Sequence, residues 1–338
     1  MILNRREALA RLGRWAGGGT IAGLLSPFFS RGDGTAPRLG VNISGGANAP
    51  GGPTTPGGPH APDGTATATR TNYVARTNSA SRANATNKIR QSVCRWPYAQ
   101  IPLDELCRQA VSLGIEGVEL VGPSEWAVLK KHGLTCPMAN GAEPGIDVGF
   151  IDPSLHAELR RRYESVIPQV AEAGFPQLIC FTGNANGIDP ETGMKNFEKG
   201  IKPLLSLAEK SNIILCLELF NTKVDHPGYM ADNTAWGIEL CDRLGSDHFK
   251  LLYDIYHMQI MEGDIIRTIR QYHDYFSHYH TGGVPGRNEI DSTQELNYPA
   301  IMRAIADTGY QGFVGQEFIP TRENPFDSLR EAVQLCDV

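Results

Sequence analysis

Short apolar runs alternate with longer amphipathic stretches from Lys88 to the end of the chain. The runs have the length of buried strands, and the stretches have the spacing of helices that bury one face. The predicted strands span 89–95, 117–121, 134–139, 177–182, 213–219, 249–255, 276–281 and 312–318. The predicted helices span 102–113, 123–132, 153–174, 198–211, 232–244, 263–273, 297–308 and 325–336. Such strand–helix repeats favour right-handed parallel crossovers that close into a ring. We therefore predict an α/β fold, a single (β/α)8 TIM barrel.

A doubly wound open sheet is the main alternative architecture. Its usual sign, a Gly-x-Gly-x-x-Gly motif after an early strand, is absent here. The body of roughly 250 residues also has the usual size of one α/β barrel.

The residues before the barrel have a different composition. Residues 1–30 contain Arg5 and Arg6 followed by a weakly apolar stretch, which resembles a twin-arginine export signal. Residues 31–87 are rich in Gly, Pro, Asn and Thr and have little to bury, so we predict a disordered linker. The predicted domains are thus 1–30, 31–87 and a barrel over 88–338. This organisation predicts a periplasmic or otherwise exported protein, with a cytoplasmic protein as the alternative, and no stable membrane span.

Charge and cysteine content limit the partners. Residues 1–87 carry a net charge of +6 and the remainder carries −12. An acidic body argues against nucleic acid as a partner, because phosphate binding needs clustered Lys and Arg. The seven cysteines include no Cys-x-x-Cys pair, so we predict buried, reduced thiols.

Two lone glutamates interrupt otherwise apolar strands. Glu218 lies in "ILCLELF" and Glu317 in "FVGQEF". Asp254 and His280 end two predicted strands between them. In such barrels the carboxyl ends of the strands meet at one rim, where ligands bind. Three carboxylates and one imidazole there form an oxygen-rich site for a divalent metal, and two glutamates can also act as proton donor and acceptor.

Two further side chains are candidates for contact with substrate. His257 is expected in the loop after Asp254, where it can reach a substrate oxygen; a helix-capping or core imidazole is the alternative. Arg287 follows the glycine-rich stretch "TGGVPG" and can clamp a substrate carboxylate or hydroxyl group. Its alternative is a surface salt bridge with Glu289 or Asp291.

Other polar residues are weaker candidates. His278 is expected one layer deeper in the barrel than His280, since both point to the same face of a strand. Glu119 could support the site from behind, and Asn140 could contact substrate. The loop Asp225 to Gly228 could line the entrance.

Four stretches of the body resemble one known family. They are "YDIYHMQIMEGD" at 253–264, "VPGRNEID", "ELNYPAIMRAIADTGYQGFVGQEF" and "HPGY". The chain resembles the hydroxypyruvate isomerases, within the larger group of xylose-isomerase-like barrels. The resemblance implies a catalytic pair of Glu218 and Glu317. It implies metal ligation by these two, Asp254 and the residue at 280, and it places His257 and Arg287 at the substrate.

One position departs from that family. Hydroxypyruvate isomerases usually carry Gln where this chain has His280. A histidine there is similar to the tagatose and psicose epimerase branch. A histidine at this position can still ligate a metal ion, but the difference leaves the identity of the substrate open.

These observations together predict an isomerase that depends on a divalent metal ion, Mn, Mg or Co. It would interconvert a small hydroxyaldehyde and ketone through a cis-enediolate, on a sugar or ketoacid substrate. The alternatives are a ketose 3-epimerase of the tagatose/psicose type and a non-catalytic exported sugar-binding barrel. An apurinic endonuclease is disfavoured, because it needs a three-zinc cluster and a basic face. A homo-oligomer is left open.

Overall fold

Seven parallel strands form the centre of the molecule in the computed structural model, which describes residues 89–338. The strands are β1 (Arg90–Cys94), β2 (Gly117–Glu119), β3 (Gln177–Cys180), β4 (Ile214–Glu218), β5 (Phe249–Asp254), β6 (Phe276–Thr281) and β7 (Phe313–Gln316). Their order in the sheet is β2-β1-β7-β6-β5-β4-β3, and each neighbouring pair is parallel. Parallel neighbours in this order place all strand carboxyl ends at one rim.

The segment 135–139 closes the sheet into a barrel. Thr135 bridges to Gly117 in β2, and Ala139 bridges to Leu178 in β3, both in parallel orientation. The predicted strand 134–139 therefore forms only isolated bridges, yet it occupies the eighth place in the ring. The predicted (β/α)8 TIM barrel is confirmed.

The strands are separated by nine α-helices in the described part of the chain. They are α1 (Leu103–Ser112), α2 (Trp126–Lys131), α3 (His156–Ala173), α4 (Pro190–Ser211), α5 (Thr234–Leu244), α6 (Ile255–Met261), α7 (Ile265–Tyr272), α8 (Tyr298–Asp307) and α9 (Pro325–Cys336). As expected, α3 stops at Gly174, which adopts the left-handed conformation with φ 79°.

Two helices differ from the prediction. Helix α4 begins at Pro190 rather than at 198, because the Asp189 side chain accepts the backbone N–H of Thr192 at 3.0 Å and caps it. Helix α6 was not predicted: it starts directly after β5, where a loop was expected. His257 therefore lies in a helix, and its predicted place in a loop was wrong.

The apolar side chains form two separate clusters. The larger one lies between the sheet and the helices and includes Leu217 and Tyr253. The smaller one lies inside the barrel and consists of Met138, Ile179, Cys216 and Leu252. Because side chains alternate along a strand, residues such as Glu218 and Asp254, two positions after an interior residue, also face inward. The apolar plug thus leaves the carboxyl end of the barrel interior to polar groups.

Several further predictions can be compared with this structure. All seven cysteines are buried, as predicted, and none of them is paired with another in the structure. No helix within residues 89–338 has the length and apolar character needed to cross a bilayer. The predicted signal-like segment 1–30 and linker 31–87 lie outside the described residues.

Candidate active site

The four predicted ligand residues come from four neighbouring strands and meet at the carboxyl rim. Glu218 and Asp254 are the last residues of β4 and β5, His280 lies near the end of β6, and Glu317 directly follows β7. One ligand atom from each lies within 4.8 Å of the others, and all four side chains are buried. We refer to Glu218, Asp254, His280 and Glu317 as the ligand cluster.

Asp254 links the ligand cluster to helix α6. Its Oδ1 accepts the backbone N–H of Tyr256 at 2.8 Å and so caps the helix that was not predicted. Its Oδ2 faces the site, 3.3 Å from the Arg287 Nη2 and 3.4 Å from the His257 Nε2. One oxygen of Asp254 is structural, and the other is available to a ligand.

His280 presents one nitrogen to each layer of the barrel. Its Nε2 lies 2.8 Å from the Oε1 of Glu119, which is also 3.0 Å from the Nε2 of His278. Its Nδ1 lies 3.1 Å from the Oε2 of Glu317 and 3.5 Å from the Oε1 of Glu218. His278 therefore lies behind the ligand cluster, as expected, and Glu119 contacts both imidazoles.

Glu317 is held by two side chains. Its Oε1 accepts the indole N–H of Trp96 at 2.8 Å, and its Oε2 accepts from Arg287. The Arg287 guanidinium lies 5.0 Å from the Trp96 ring and 5.3 Å from the Tyr256 ring, so it is held between two aromatic faces. Arg287 pairs with Asp254 and Glu317, and the alternative surface pairing with Glu289 or Asp291 was wrong.

His257 is oriented by the chain that follows β4. The backbone N–H of Asn221 points at its Nδ1 from 3.2 Å, and the Asn221 side-chain amide lies 2.7 Å from the same atom. A backbone N–H can only donate, so Nδ1 is an acceptor and the ring proton is on Nε2. Burial lowers the pKa of His257, and the charge of Arg287 lowers it further. His257 is thus a neutral imidazole that offers its Nε2–H toward the ligand cluster.

The expected entrance loop reaches the same side of the barrel. Asp225 accepts hydrogen bonds from Asn221 and from the Tyr256 hydroxyl. His226 stacks on Phe220, with ring centroids 4.3 Å apart, and its centroid is 5.3 Å from that of His257. Burial and the charge of Arg287 lower the pKa of His226 to about 4. Asn140, in contrast, is exposed, and the structure gives it no contact with the ligand cluster.

Six buried polar atoms in this region have no hydrogen-bond partner in the structure: Glu218 Oε1, His257 Nε2, His280 Nδ1, Arg287 Nε, His226 Nε2 and His278 Nδ1. A buried polar group left unpaired costs about 1–3 kcal/mol, so several such atoms at one place indicate a site suited to a ligand. Two of them belong to the ligand cluster, and carboxylates with one imidazole suit a divalent ion such as Mn²⁺, Mg²⁺ or Co²⁺. The residues present therefore fit a metal ion.

The two glutamates are electrostatically different. Burial raises the pKa of Glu218 to about 6, and the negative charge of Glu317 adds to this effect. Burial acts in the same direction on Glu317, but the charges of Arg287 and His280 outweigh it and hold the pKa of Glu317 well below its usual range. A pair of carboxyl groups with separated proton affinities is suited to giving and taking protons.

Three contributors to the site were not identified from the sequence. Trp96 and Asn221 each lie just beyond the end of a strand. That position could have identified them from the sequence, since functional residues of such barrels lie at the carboxyl ends of the strands. Ser92 donates its hydroxyl to Glu119 Oε2 at 2.8 Å, and nothing in its sequence context marks it.

Comparison with known proteins identifies the family of this chain. The family model described as "Xylose isomerase-like TIM barrel" matches residues 107–337. The hydroxypyruvate isomerase of Escherichia coli strain K12 is 28% identical over 63% of this chain and 86% of its own length. The resemblance to hydroxypyruvate isomerases drawn from the sequence is thereby confirmed.

Solved structures share the fold. A Brucella melitensis protein titled AP endonuclease, family 2, has a TM-score of 0.65 and 26% identity, covering 71% of this chain and 96% of its own. A D-psicose 3-epimerase from Clostridium cellulolyticum H10 has a TM-score of 0.60 and 17% identity, covering 74% of this chain and all of its own. With curated isomerases among its relatives and the family model spanning most of the barrel, this chain is an isomerase that belongs to the xylose isomerase-like TIM barrel family.

Proposed function

We propose that this chain is a metal-dependent isomerase that interconverts a small hydroxyaldehyde and ketone, similar to hydroxypyruvate isomerase. Glu218 and Glu317 would transfer the protons to and from the substrate. The observation that carries the proposal is the convergence of these two buried glutamates with Asp254 and His280 around unpaired polar atoms. A sugar-binding protein without chemistry would not require two buried carboxyl groups with separated pKa values.

The ligand cluster would hold one divalent ion, Mn²⁺, Mg²⁺ or Co²⁺. Such an ion would supply Lewis acidity next to the substrate carbonyl and stabilise negative charge on its oxygen. Every other part of the reaction falls to side chains of this protein.

The two glutamates carry the proton. One carboxylate takes the proton from the substrate carbon that bears the hydroxyl group, and the electrons of that C–H bond form the C=C bond of a cis-enediolate. The other carboxyl group delivers a proton to the former carbonyl carbon, and the hydroxyl proton moves between the two oxygens. Atoms and electrons balance without an external oxidant. Glu218 Oε1, which has no partner, and Glu317 Oε2 are the atoms that face the site.

His257 and Arg287 would position the substrate. The Nε2–H of His257 is a neutral donor in a buried place, so it suits an oxygen that becomes negative in the transition state. Arg287 pairs with Glu317 and Asp254, and its Nε atom has no partner, which suits a substrate oxygen. A small sugar or ketoacid fits this set of donors.

The experiment that tests the proposal is turnover in deuterated water. The metal-loaded protein, given hydroxypyruvate and a panel of small ketoses, should produce the isomer with deuterium on the carbon next to the carbonyl. Glu317→Gln keeps the shape and removes the base, so turnover should fall by roughly a hundredfold or more. Metal content is measured alongside. Near-normal turnover in a fully metallated Glu317→Gln protein would refute the two-glutamate mechanism.

The same experiment separates the alternatives. A ketose 3-epimerase would place deuterium on a ketose carbon and invert that carbon without moving the carbonyl. His280 and the fold shared with the D-psicose 3-epimerase keep this second candidate in view. A pure binding protein would incorporate no solvent deuterium into any substrate.

A further inference from the structure

Glu119 is a fully buried carboxylate behind the ligand cluster. It lies at the end of β2, with its side chain in the barrel interior. Its Oε2 accepts the hydroxyl of Ser92 at 2.8 Å. Its Oε1 lies 2.8 Å from the Nε2 of His280 and 3.0 Å from the Nε2 of His278. A buried charge with this many partners is held in one place.

The barrel provides space for this carboxylate at a glycine. Gly315 in β7 pairs with His280 on one side and with Ser92 on the other. A Cβ atom at Gly315 would lie 2.1 Å from Glu119 Oε1 and 2.9 Å from the Cδ2 of His280. Any other residue there would displace the carboxylate or the imidazole, so the interior of β7 is shaped around their contact.

The contact determines which nitrogen of His280 is free. An ionised carboxylate can only accept, so Nε2 of His280 carries a proton and donates it to Glu119. Nδ1 is then the nitrogen that faces Glu218 and Glu317, and a divalent ion bound there would take the place of any proton on Nδ1. Nδ1 has no hydrogen-bond partner in the structure although it is buried.

We propose that Glu119 is a positioning residue: by accepting the Nε2–H of His280 it fixes the ring and its tautomer, so that Nδ1 can ligate the divalent ion of the ligand cluster. This inference rests on the proposed metal dependence. It assigns to Ser92 the task of holding the second oxygen of Glu119. A carboxylate bound to the outer nitrogen of a ligating imidazole raises the basicity of that ligand and fixes its orientation.

The rival interpretation is a second cation held by Glu119, His278 and His280. These three residues also have ligand-type atoms close together. The N–O distances of 2.8 and 3.0 Å are hydrogen-bond lengths, however, and Nε2 of His280 cannot carry a proton and a cation at once. The number of ions bound per chain distinguishes the two interpretations.

The test is metal binding by the full chain carrying Glu119→Gln. The amide keeps the volume but loses the charge and has one acceptor oxygen. Parent and variant are stripped with a chelator and titrated with Mn²⁺ by calorimetry and with Co²⁺ by its visible absorption. We expect one ion per parent chain, and affinity lower by about 10–100-fold in the variant, with a shifted Co²⁺ spectrum because the imidazole ligand is lost or turned.

The matched control is Glu143→Gln, the same change at another buried carboxyl group. Glu143 bonds to the Tyr163 hydroxyl and the Phe181 N–H, and its contacts in the structure do not include the ligand cluster. Its metal affinity should equal that of the parent. An equal loss in both variants would overturn the proposal, as would unchanged affinity and spectrum in Glu119→Gln, or two ions bound per parent chain.

A second variant covers the case in which Glu119→Gln does not fold. Ser92→Ala removes the hydroxyl that holds Glu119 and leaves the carboxylate in place, so it should weaken metal binding severalfold; unchanged binding would overturn the proposal. A parent protein that binds no divalent ion refutes the metal dependence itself. That outcome is visible in the parent alone and so is distinct from a failure of Glu119.

Discussion

Glu143 is a buried carboxyl group that the ligand cluster does not use. Its Oε2 lies 2.5 Å from the Tyr163 hydroxyl oxygen, which is also 3.0 Å from the carbonyl oxygen of Ile179. The Tyr163 hydroxyl donates to Glu143 Oε2, and the Phe181 backbone N–H donates to Oε1. Burial raises the pKa of Glu143 to about 7, against the hydrogen bonds from Tyr163 and Phe181.

The raised pKa of Glu143 makes the stability of the protein depend on pH. Between pH 4.5 and 7 the unfolded chain releases the Glu143 proton while the folded chain keeps it, so its contribution to stability is lost as pH rises. Gln has nearly the same shape and does not titrate. The free energy of unfolding of Glu143→Gln, relative to the parent, should therefore increase from pH 4.5 to pH 7 by up to about 3 kcal/mol.

Urea unfolding of both proteins at several pH values measures this difference. Because other titrating groups are common to both proteins, they cancel in the comparison. A difference that is constant over this pH range would show that Glu143 is ionised in the folded protein.

The sequence predicted the residues of the ligand cluster but few of their partners. Glu218 and Glu317 could be identified because a single acidic residue in an apolar strand is costly to bury unless it has a partner. The roles of Trp96 and Ser92 depend on which side chains of β1 meet those of β2 and β7 across the barrel. A single sequence does not contain that information, since it depends on the stagger of the closed sheet.

At the scale of elements, the loop between β6 and α8 carries Arg287 to the ligand cluster. A Cβ atom at Gly283 would lie 2.2 Å from the backbone oxygen of Glu289. Gly286 has a φ of +100°, which side-chain-bearing residues avoid. These glycines allow the loop to fold over the site, as the run of glycines suggested.

Gly283→Ala should therefore open this loop. The added methyl group meets backbone rather than a flexible side chain, so we expect a loss of about 1–3 kcal/mol in the free energy of unfolding. Turnover should fall as well, because Arg287 moves away from Glu317. The control is Gly122→Ala, where a Cβ atom would meet no atom within 4 Å. Thermal unfolding and turnover are measured for both; a Gly283→Ala protein that matches the control would contradict the role of the loop.

Most elements were predictable because eight apolar runs of strand length recur along the chain. The exception, helix α6, was missed because Asp254 has two functions that use the same residue. Asp254 is the last residue of β5, and its side chain also caps the helix that follows. From the sequence, only its place at the end of the strand was predicted. The segment 135–139 was predicted as a strand, and it reaches its neighbours only through isolated bridges.

At the scale of the whole molecule, residues 89–338 contain the closed barrel and every residue of the ligand cluster. We propose that the residues before it direct export, on the basis of Arg5 and Arg6 and the composition of the linker. A chain that starts at Lys88 should then fold, bind metal and turn over substrate like the full chain. In cells, the full chain should be found in the periplasm and the shortened chain in the cytoplasm.

Thermal unfolding, metal binding and cell fractionation of the two chains check this prediction. A shortened protein that fails to fold or to bind metal would show that residues 1–87 contribute to the barrel. Equal distribution of both chains between the compartments would refute export.

Trp96 gives this active site a built-in optical reporter. Its indole N–H donates to Glu317, and its ring faces the guanidinium of Arg287. Indole fluorescence responds to hydrogen bonding and to charges nearby, so the emission of Trp96 is coupled to the charge state of the Glu317 carboxylate. Subtracting the spectrum of Trp96→Phe removes the light of the other three tryptophans, Trp15, Trp126 and Trp236. The occupancy of the site can then be followed in real time, without a label and without turnover.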